Sequence, residues 1–222
     1  MRALISFLGV PIVLLIGLSA APSVPIATQV GLPDLIINQA RITSSWQVVN
    51  GNFKSSSCAF VEGCVGGTGK RRLLRFDVAT PNIGTGHLTI GNPAGNPLFV
   101  FSPCHNHYHF SGYAEYNLLN SAGTATVLTG RKQAFCLRDS SQYLSGNYPS
   151  QGYNCSNQGI SAGWQDVYSR TLTCQWLDIT GLPSGNYILE VIINPHGVRA
   201  EPDGLTESDY TNNTARVNVT IN

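Results

Sequence analysis

From residue 33 onward the chain is dominated by short alternating runs of apolar and polar residues, interrupted by glycine, proline or asparagine. Residues 214–221 show this most clearly. Ala215, Val217, Val219 and Ile221 fall on one side and Arg216, Asn218 and Thr220 on the other, the period of two expected of a half-buried strand. The runs 34–43, 71–79, 97–102, 106–119, 131–138, 174–180 and 187–194 are predicted strands on similar grounds. Few windows carry apolar residues at i, i+3, i+4 and i+7 without a glycine or proline between them, so no amphipathic helix is predicted. Leu182–Tyr187, reading Leu-Pro-Ser-Gly-Asn-Tyr ahead of a strand, has the form of the tyrosine corner of β-sandwiches. Residues 139–165 are rich in Ser, Gly, Asn and Gln and read as a long loop, of a length that is usually functional or pinned by a disulfide. The expected fold class is all-β: a single sandwich-like domain over residues 32–222, with long irregular loops.

The first residues follow a different pattern. Met1-Arg2 is a brief positive start, Ala3–Leu18 is apolar apart from Ser6, and Ser19-Ala20-Ala21 is a small-residue exit. This predicts a secretory signal peptide over residues 1–21, followed by a short linker, 22–31. The alternative is an uncleaved anchor, since the apolar stretch approaches the ~20 residues that span a bilayer. Cleavage predicts a secreted, extracellular protein with no membrane partner.

Composition narrows the function. With 13 basic against 12 acidic residues and no basic block, the chain lacks the electrostatic footprint of a nucleic-acid binder. Six cysteines point to an oxidising compartment or a metal, and the signal sequence favours the former. No Cys-x-x-Cys occurs, which argues against a thiolate metal site.

The densest chemistry is Cys104-His-Asn-His-Tyr-His-Phe110. In a strand, His105, His107 and His109 share one face with successive Cα atoms roughly 6–7 Å apart, while Tyr108 and Phe110 face the core. Three imidazoles around one ion, with a coordination position left open, suit Zn²⁺ or Cu²⁺. His87 and His196 are isolated and read as ordinary residues. Geometry alone leaves a zinc hydrolase and a copper oxidase both open.

The motif Val100-Phe-Ser-Pro-Cys-His-Asn-His-Tyr-His109 resembles the copper-binding segment of the lysyl oxidase family. The likeness begins near Leu32-Pro-Asp-Leu35 and continues through Lys132-Gln-Ala-Phe-Cys136, Asp166-Val-Tyr168, Cys174-Gln-Trp-Leu-Asp-Ile-Thr180, Gly185–Val191 and Glu207-Ser-Asp-Tyr-Thr-Asn-Asn213. A stretch from Gly197 to Leu205 is an insertion against that pattern. The resemblance implies copper on His105, His107 and His109, and a lysine tyrosylquinone made from Lys132 and Tyr168. It implies the disulfides Cys58–Cys104, Cys64–Cys174 and Cys136–Cys155, with Gln142 and Trp164 standing where the family has a further pair. It also implies a Ca²⁺ site from Asp34, the Leu35 carbonyl, Glu207, Asp209, Asn212 and Asn213, all hard oxygen donors.

The implied function is a secreted copper-dependent amine oxidase. It would convert primary amines, peptidyl lysine or small amines, to aldehydes with O₂, releasing hydrogen peroxide and ammonia. Such a reaction needs a base. Asp139 and Asp166 lie beside the motifs, and the sequence does not choose between them. The alternative is a secreted copper- or zinc-binding β-sandwich without catalysis, which would need the histidines but neither Lys132 nor Tyr168.

Overall fold

The computed structural model describes residues 31–131 and 134–222. The expected signal peptide, all of the linker except Gly31, and Lys132 lie outside the described residues.

The described chain reaches its first regular element, α1 (Gln39–Ser45), after a single bridge between Leu35 and Asn82. A strand was expected over 34–43. Instead the Asn38 side chain accepts a hydrogen bond from the Arg41 N–H at 3.1 Å and caps a helix, which buries Ile42 and Ser45. Next come β1 (Gln47–Phe53), the four-residue α2 (Cys58–Val61), β2 (Gly69–Arg75) and β3 (Val78–Pro81). After these lie β4 (Leu88–Gly91), β5 (Phe99–Ser102), β6 (His107–Ser111) and β7 (Ala114–Leu119). The expected continuous strand 106–119 is broken at Gly112, whose φ of 76° suits a turn that only glycine adopts freely.

β8 (Thr126–Thr129) precedes four short strands: β9 (Ala134–Phe135), β10 (Ser141–Gln142), β11 (Gln158–Ile160) and β12 (Trp164–Tyr168). The expected loop 139–165 is thus punctuated by pairing to the rest of the fold. β13 (Trp176–Asp178), β14 (Gly185–Ile193), the short α3 (Pro195–Val198) and β15 (Thr214–Ile221) complete the order.

The fold is all-β, with the strands of the described residues distributed over five small antiparallel sheets. The largest, ordered β15-β14-β7-β8, supplies Leu118, Leu189, Val191, Val217 and Ile221 to the core. β15 alternates exposed and buried along its whole length, as its sequence period requires. Tyr187 donates its hydroxyl to the Pro183 carbonyl at 3.0 Å, closing the tyrosine corner. β1-β2-β13, β10-β12-β3, β11-β4 and β5-β6-β9 wrap around the remainder.

Three disulfides, Cys58–Cys104, Cys64–Cys174 and Cys136–Cys155, join elements at Cα separations of 5.6, 5.3 and 5.2 Å. These are the pairs that the resemblance implies. Gln142 and Trp164, the positions without cysteine, face each other directly in the β10–β12 register. The strand pairing therefore keeps together two positions that carry no covalent bond here.

Candidate metal and cofactor site

The β5–β6 hairpin sets Val100 opposite His109 and Ser102 opposite His107. His107 and His109 share one face of β6, and their Nε2 atoms approach to 2.9 Å. His105 is not on the strand, contrary to the sequence expectation. It sits in the preceding turn, where Asn106 takes a left-handed φ of 54° and its N–H donates to the Ser102 carbonyl at 2.8 Å. Asparagine tolerates that conformation better than most residues. The turn still brings the third ring into the group: centroids lie 5.8 Å (His105–His107), 5.3 Å (His105–His109) and 4.7 Å (His107–His109) apart. On the other face, Phe110 is buried edge-on to Phe99, while Tyr108 is half-buried against Phe101. Desolvation lowers the His107 pKa, favouring the neutral ring whose lone pair a metal needs.

A residue absent from the sequence reading joins this group. Glu62, at the C-terminal cap of α2, places Oε2 3.0 Å from His105 Nε2 and accepts a hydrogen bond from the Ser102 hydroxyl. Its carboxylate is largely buried. The available signal was its position between Cys58 and Cys64, whose partners are Cys104 and Cys174. An acid confined between two such staples is carried to whatever they enclose.

The facing wall comes from β12, which pairs with β3 so that Tyr168 lies opposite Val78 and Asp166 opposite Thr80. The Tyr168 hydroxyl donates to the Cys136 carbonyl at 2.8 Å and accepts from the Cys136 N–H at 2.5 Å. Its ring stands edge-on to Phe135 at 4.2 Å, and burial pushes the phenol pKa well up. The expected partner, Lys132, is outside the described residues and precedes Cys136 by four positions in sequence.

Asp166 Oδ1 accepts from the Ser140 hydroxyl at 3.0 Å and the Val167 N–H at 2.8 Å, while Oδ2 is buried with no hydrogen-bond partner among the described residues. Burial, opposed by the Ser140 and Val167 hydrogen bonds, lifts the Asp166 pKa to about 7. Asp139, the other acid beside the motifs, is committed elsewhere, accepting from the Ser161 N–H at 2.8 Å and the Ser161 hydroxyl at 2.7 Å.

A cavity of about 370 Å³ unites these groups, lined by the three histidines, Glu62, Asp166 and Tyr168, with apolar wall from Phe135 and Leu172. All six cysteines are paired, so among the described lining residues the imidazoles and carboxylates are the groups that could hold a metal. His87 and His196 lie apart from it: His87 Nδ1 accepts from the Ala162 N–H, and His196 faces Asp203 and Glu201.

A second polar cluster links the start of the domain to its last strand. Glu207 accepts from the Leu35 N–H at 2.6 Å and from the Asn194 and Asn213 side chains at 2.6 and 2.8 Å, and Asn212 donates to Asp34 at 2.8 Å. Asn212 Oδ1 and Asn213 Oδ1 are buried without hydrogen-bond partners among the described residues. Asp209 is half-buried, its Oδ1 accepting from the Thr211 N–H and hydroxyl rather than joining the others.

Comparison with known proteins matches the family described as Lysyl oxidase over residues 33–222. This chain belongs to the lysyl oxidase family. It is 35% identical to human lysyl oxidase homolog 1 over 85% of its own length and 33% of that protein's. It is 36% identical to bovine lysyl oxidase homolog 2 over 82% and 23%, and 34% identical to chicken protein-lysine 6-oxidase over 86% and 46%. The chain thus spans less than half of the curated relatives it matches.

The Tyr168 hydroxyl completes a buried backbone pair, which yields a stability test. In metal-free protein, Tyr168→Phe strands the Cys136 N–H and carbonyl and lowers the unfolding free energy by about 1–3 kcal/mol. Urea titration reads this as a lower midpoint with unchanged slope; an unchanged midpoint contradicts the arrangement.

Proposed function

We propose that this chain is a secreted copper- and quinone-dependent amine oxidase acting on primary amines of the peptidyl-lysine type. The observation that carries the reading is one cavity shared by three histidines and Tyr168, in a chain of the lysyl oxidase family. Neutral imidazoles without a thiolate fit Cu²⁺. His105, His107 and His109 would hold copper, which would supply one-electron chemistry with O₂. Lys132 and Tyr168 would form the lysine tyrosylquinone, which would supply a two-electron acceptor for turning a primary amine into an aldehyde, with water consumed, O₂ as final oxidant and hydrogen peroxide and ammonia as co-products.

The chain's own groups prepare that reaction. The Cys136 backbone anchors the Tyr168 hydroxyl, and Phe135 fixes the ring. Glu62 holds His105 against the turn, and its negative charge attracts a cationic amine. Phe135 and Leu172 give the cavity apolar wall against which an alkyl chain excludes water. Secretion rests on the reading of residues 1–21 as a signal peptide.

We also propose Ca²⁺ at the second cluster, on Asp34, the Leu35 carbonyl, Glu207, Asp209, Asn212 and Asn213. Its support is the pair of buried amide oxygens without partners beside a buried carboxylate. Burial raises the Glu207 pKa to about 7, with Asp34 nearby pushing the same way, so a cation would relieve both groups. Asp209 would have to turn from Thr211 to take part.

Two outcomes check these readings. Copper-loaded protein is expected to form a coloured adduct with phenylhydrazine and to release peroxide from a primary amine, and Lys132→Arg is expected to abolish both. Copper-replete protein giving no adduct and no peroxide across an amine panel would instead be a non-catalytic metal-binding protein; amine-independent hydrolysis with zinc would also contradict the oxidase. For calcium, adding it at a hundredfold excess over its dissociation constant is expected to raise Tm by about 5–10 °C, with Asp34→Asn losing most of the gain. An unshifted Tm removes the calcium site.

A further inference from the structure

We propose that Asp166 is the base that takes the α-proton of the amine substrate, an assignment that rests on the oxidase reading above. In that reaction the α C–H bond of the substrate breaks, the proton passes to Asp166 Oδ2, and the bonding pair passes to the quinone, which is reduced by two electrons. With the nitrogen bound to the quinone, water then supplies the aldehyde oxygen and ammonia departs, while O₂ would take the two electrons with two protons, one of them from Asp166, and leave as hydrogen peroxide.

The geometry selects this acid. Asp166 and Tyr168 are two positions apart on β12, so their side chains leave the same face at roughly 6–7 Å between Cα atoms. A substrate nitrogen at the Tyr168 ring therefore puts its neighbouring carbon within a side chain's reach of Asp166. Of the two carboxylate oxygens, Oδ1 is fixed by the Ser140 hydroxyl and the Val167 N–H, which hold the group in place without using Oδ2. Oδ2 is buried, has no hydrogen-bond partner among the described residues, and belongs to a residue lining the cavity. Buried polar atoms are nearly always paired, so an unpaired one on a residue that lines the cavity calls for a functional explanation. Asp139 offers no such atom, because both of its oxygens accept hydrogen bonds from Ser161 or Ser150.

The surroundings tune the group for proton transfer near neutrality. Burial lifts its pKa to about 7, against the pull of Ser140, Val167 and the charge and backbone amide of Arg138. The other titratable neighbours are the phenols of Tyr113, Tyr116 and Tyr168, each raised by burial and so uncharged. Thr80 lies opposite on β3 and carries no charge. Below about pH 7 the carboxyl is protonated and idle; above it, the carboxylate accepts protons. A general base is most effective when its pKa lies near the working pH.

The test uses full-length copper-loaded protein, wild type and Asp166→Asn, which keeps the size and an acceptor oxygen for Ser140 and Val167. Phenylhydrazine titration first reports whether the quinone is present. The variant is expected to form the adduct to the wild-type extent while kcat/KM, measured with the fastest amine of a panel of peptidyl lysine, cadaverine and benzylamine, falls by about 10²–10⁴-fold. In wild type, kcat/KM is expected to rise through about pH 7, with an α-deuterium isotope effect along that limb. Normal turnover in an adduct-forming Asp166→Asn overturns the assignment. So does loss of the adduct in the variant alone, which would put Asp166 in cofactor assembly instead. A wild-type profile flat from pH 6 to 8 overturns it without any variant. Absence of the adduct in wild type fails the oxidase reading itself and is distinguished from these by that first titration.

Discussion

The site depends on one constraint: sulfur holds the short helix α2 on both sides. Cys58 at its start is bonded to Cys104, next to His105, and Cys64 just beyond its end is bonded to Cys174, six residues after Tyr168. Between them, Glu62 reaches His105 and Ser102. A four-residue helix has little stability of its own. Two cross-links, each worth about 2–4 kcal/mol in proteins generally, allow it to serve as a fixed platform. Two residues nearby, Asn106 and Cys174, take left-handed backbone conformations, at φ of 54° and 68°. Such conformations persist where the surroundings over-determine them, and here they flank the cavity.

The third disulfide acts on the opposite wall. Cys136 is at once the residue whose backbone grips the Tyr168 hydroxyl and one end of the bridge to Cys155. The polar stretch after it is drawn back onto the fold by β10 and β11, and Ser140 from that stretch orients Asp166. The three histidines, Tyr168 and the carboxylates of Glu62 and Asp166 therefore come from two small sheets, the turn before β6 and the cap of α2. Their mutual positions are set by cross-links and buried hydrogen bonds rather than by one large sheet.

What the sequence makes legible follows from the range of the forces involved. β15 is readable because its alternation is local and one face is buried throughout. The histidine group is readable from chemistry and proximity, although the strand argument was wrong for His105, where a left-handed Asn106 reshapes the turn. The stretch 34–43 was misread because a brief apolar run fits strand or helix alike, and a single cap at Asn38 decides the outcome. Glu62 is 43 residues from His105, and only its place between Cys58 and Cys64 marks it. Asp139 and Asp166 are alike in sequence and differ only in which oxygens the folded chain satisfies, a tertiary property. Tyr168, one of nine tyrosines, could be singled out only by family resemblance.

The central claim is that this cavity assembles its own quinone from Lys132 and Tyr168. Peptide mass spectrometry after aerobic incubation with copper tests it most directly. The account predicts a single covalently joined species containing both residues, absent when copper is withheld. Recovery of the two peptides separate and unmodified from copper-replete protein would contradict it.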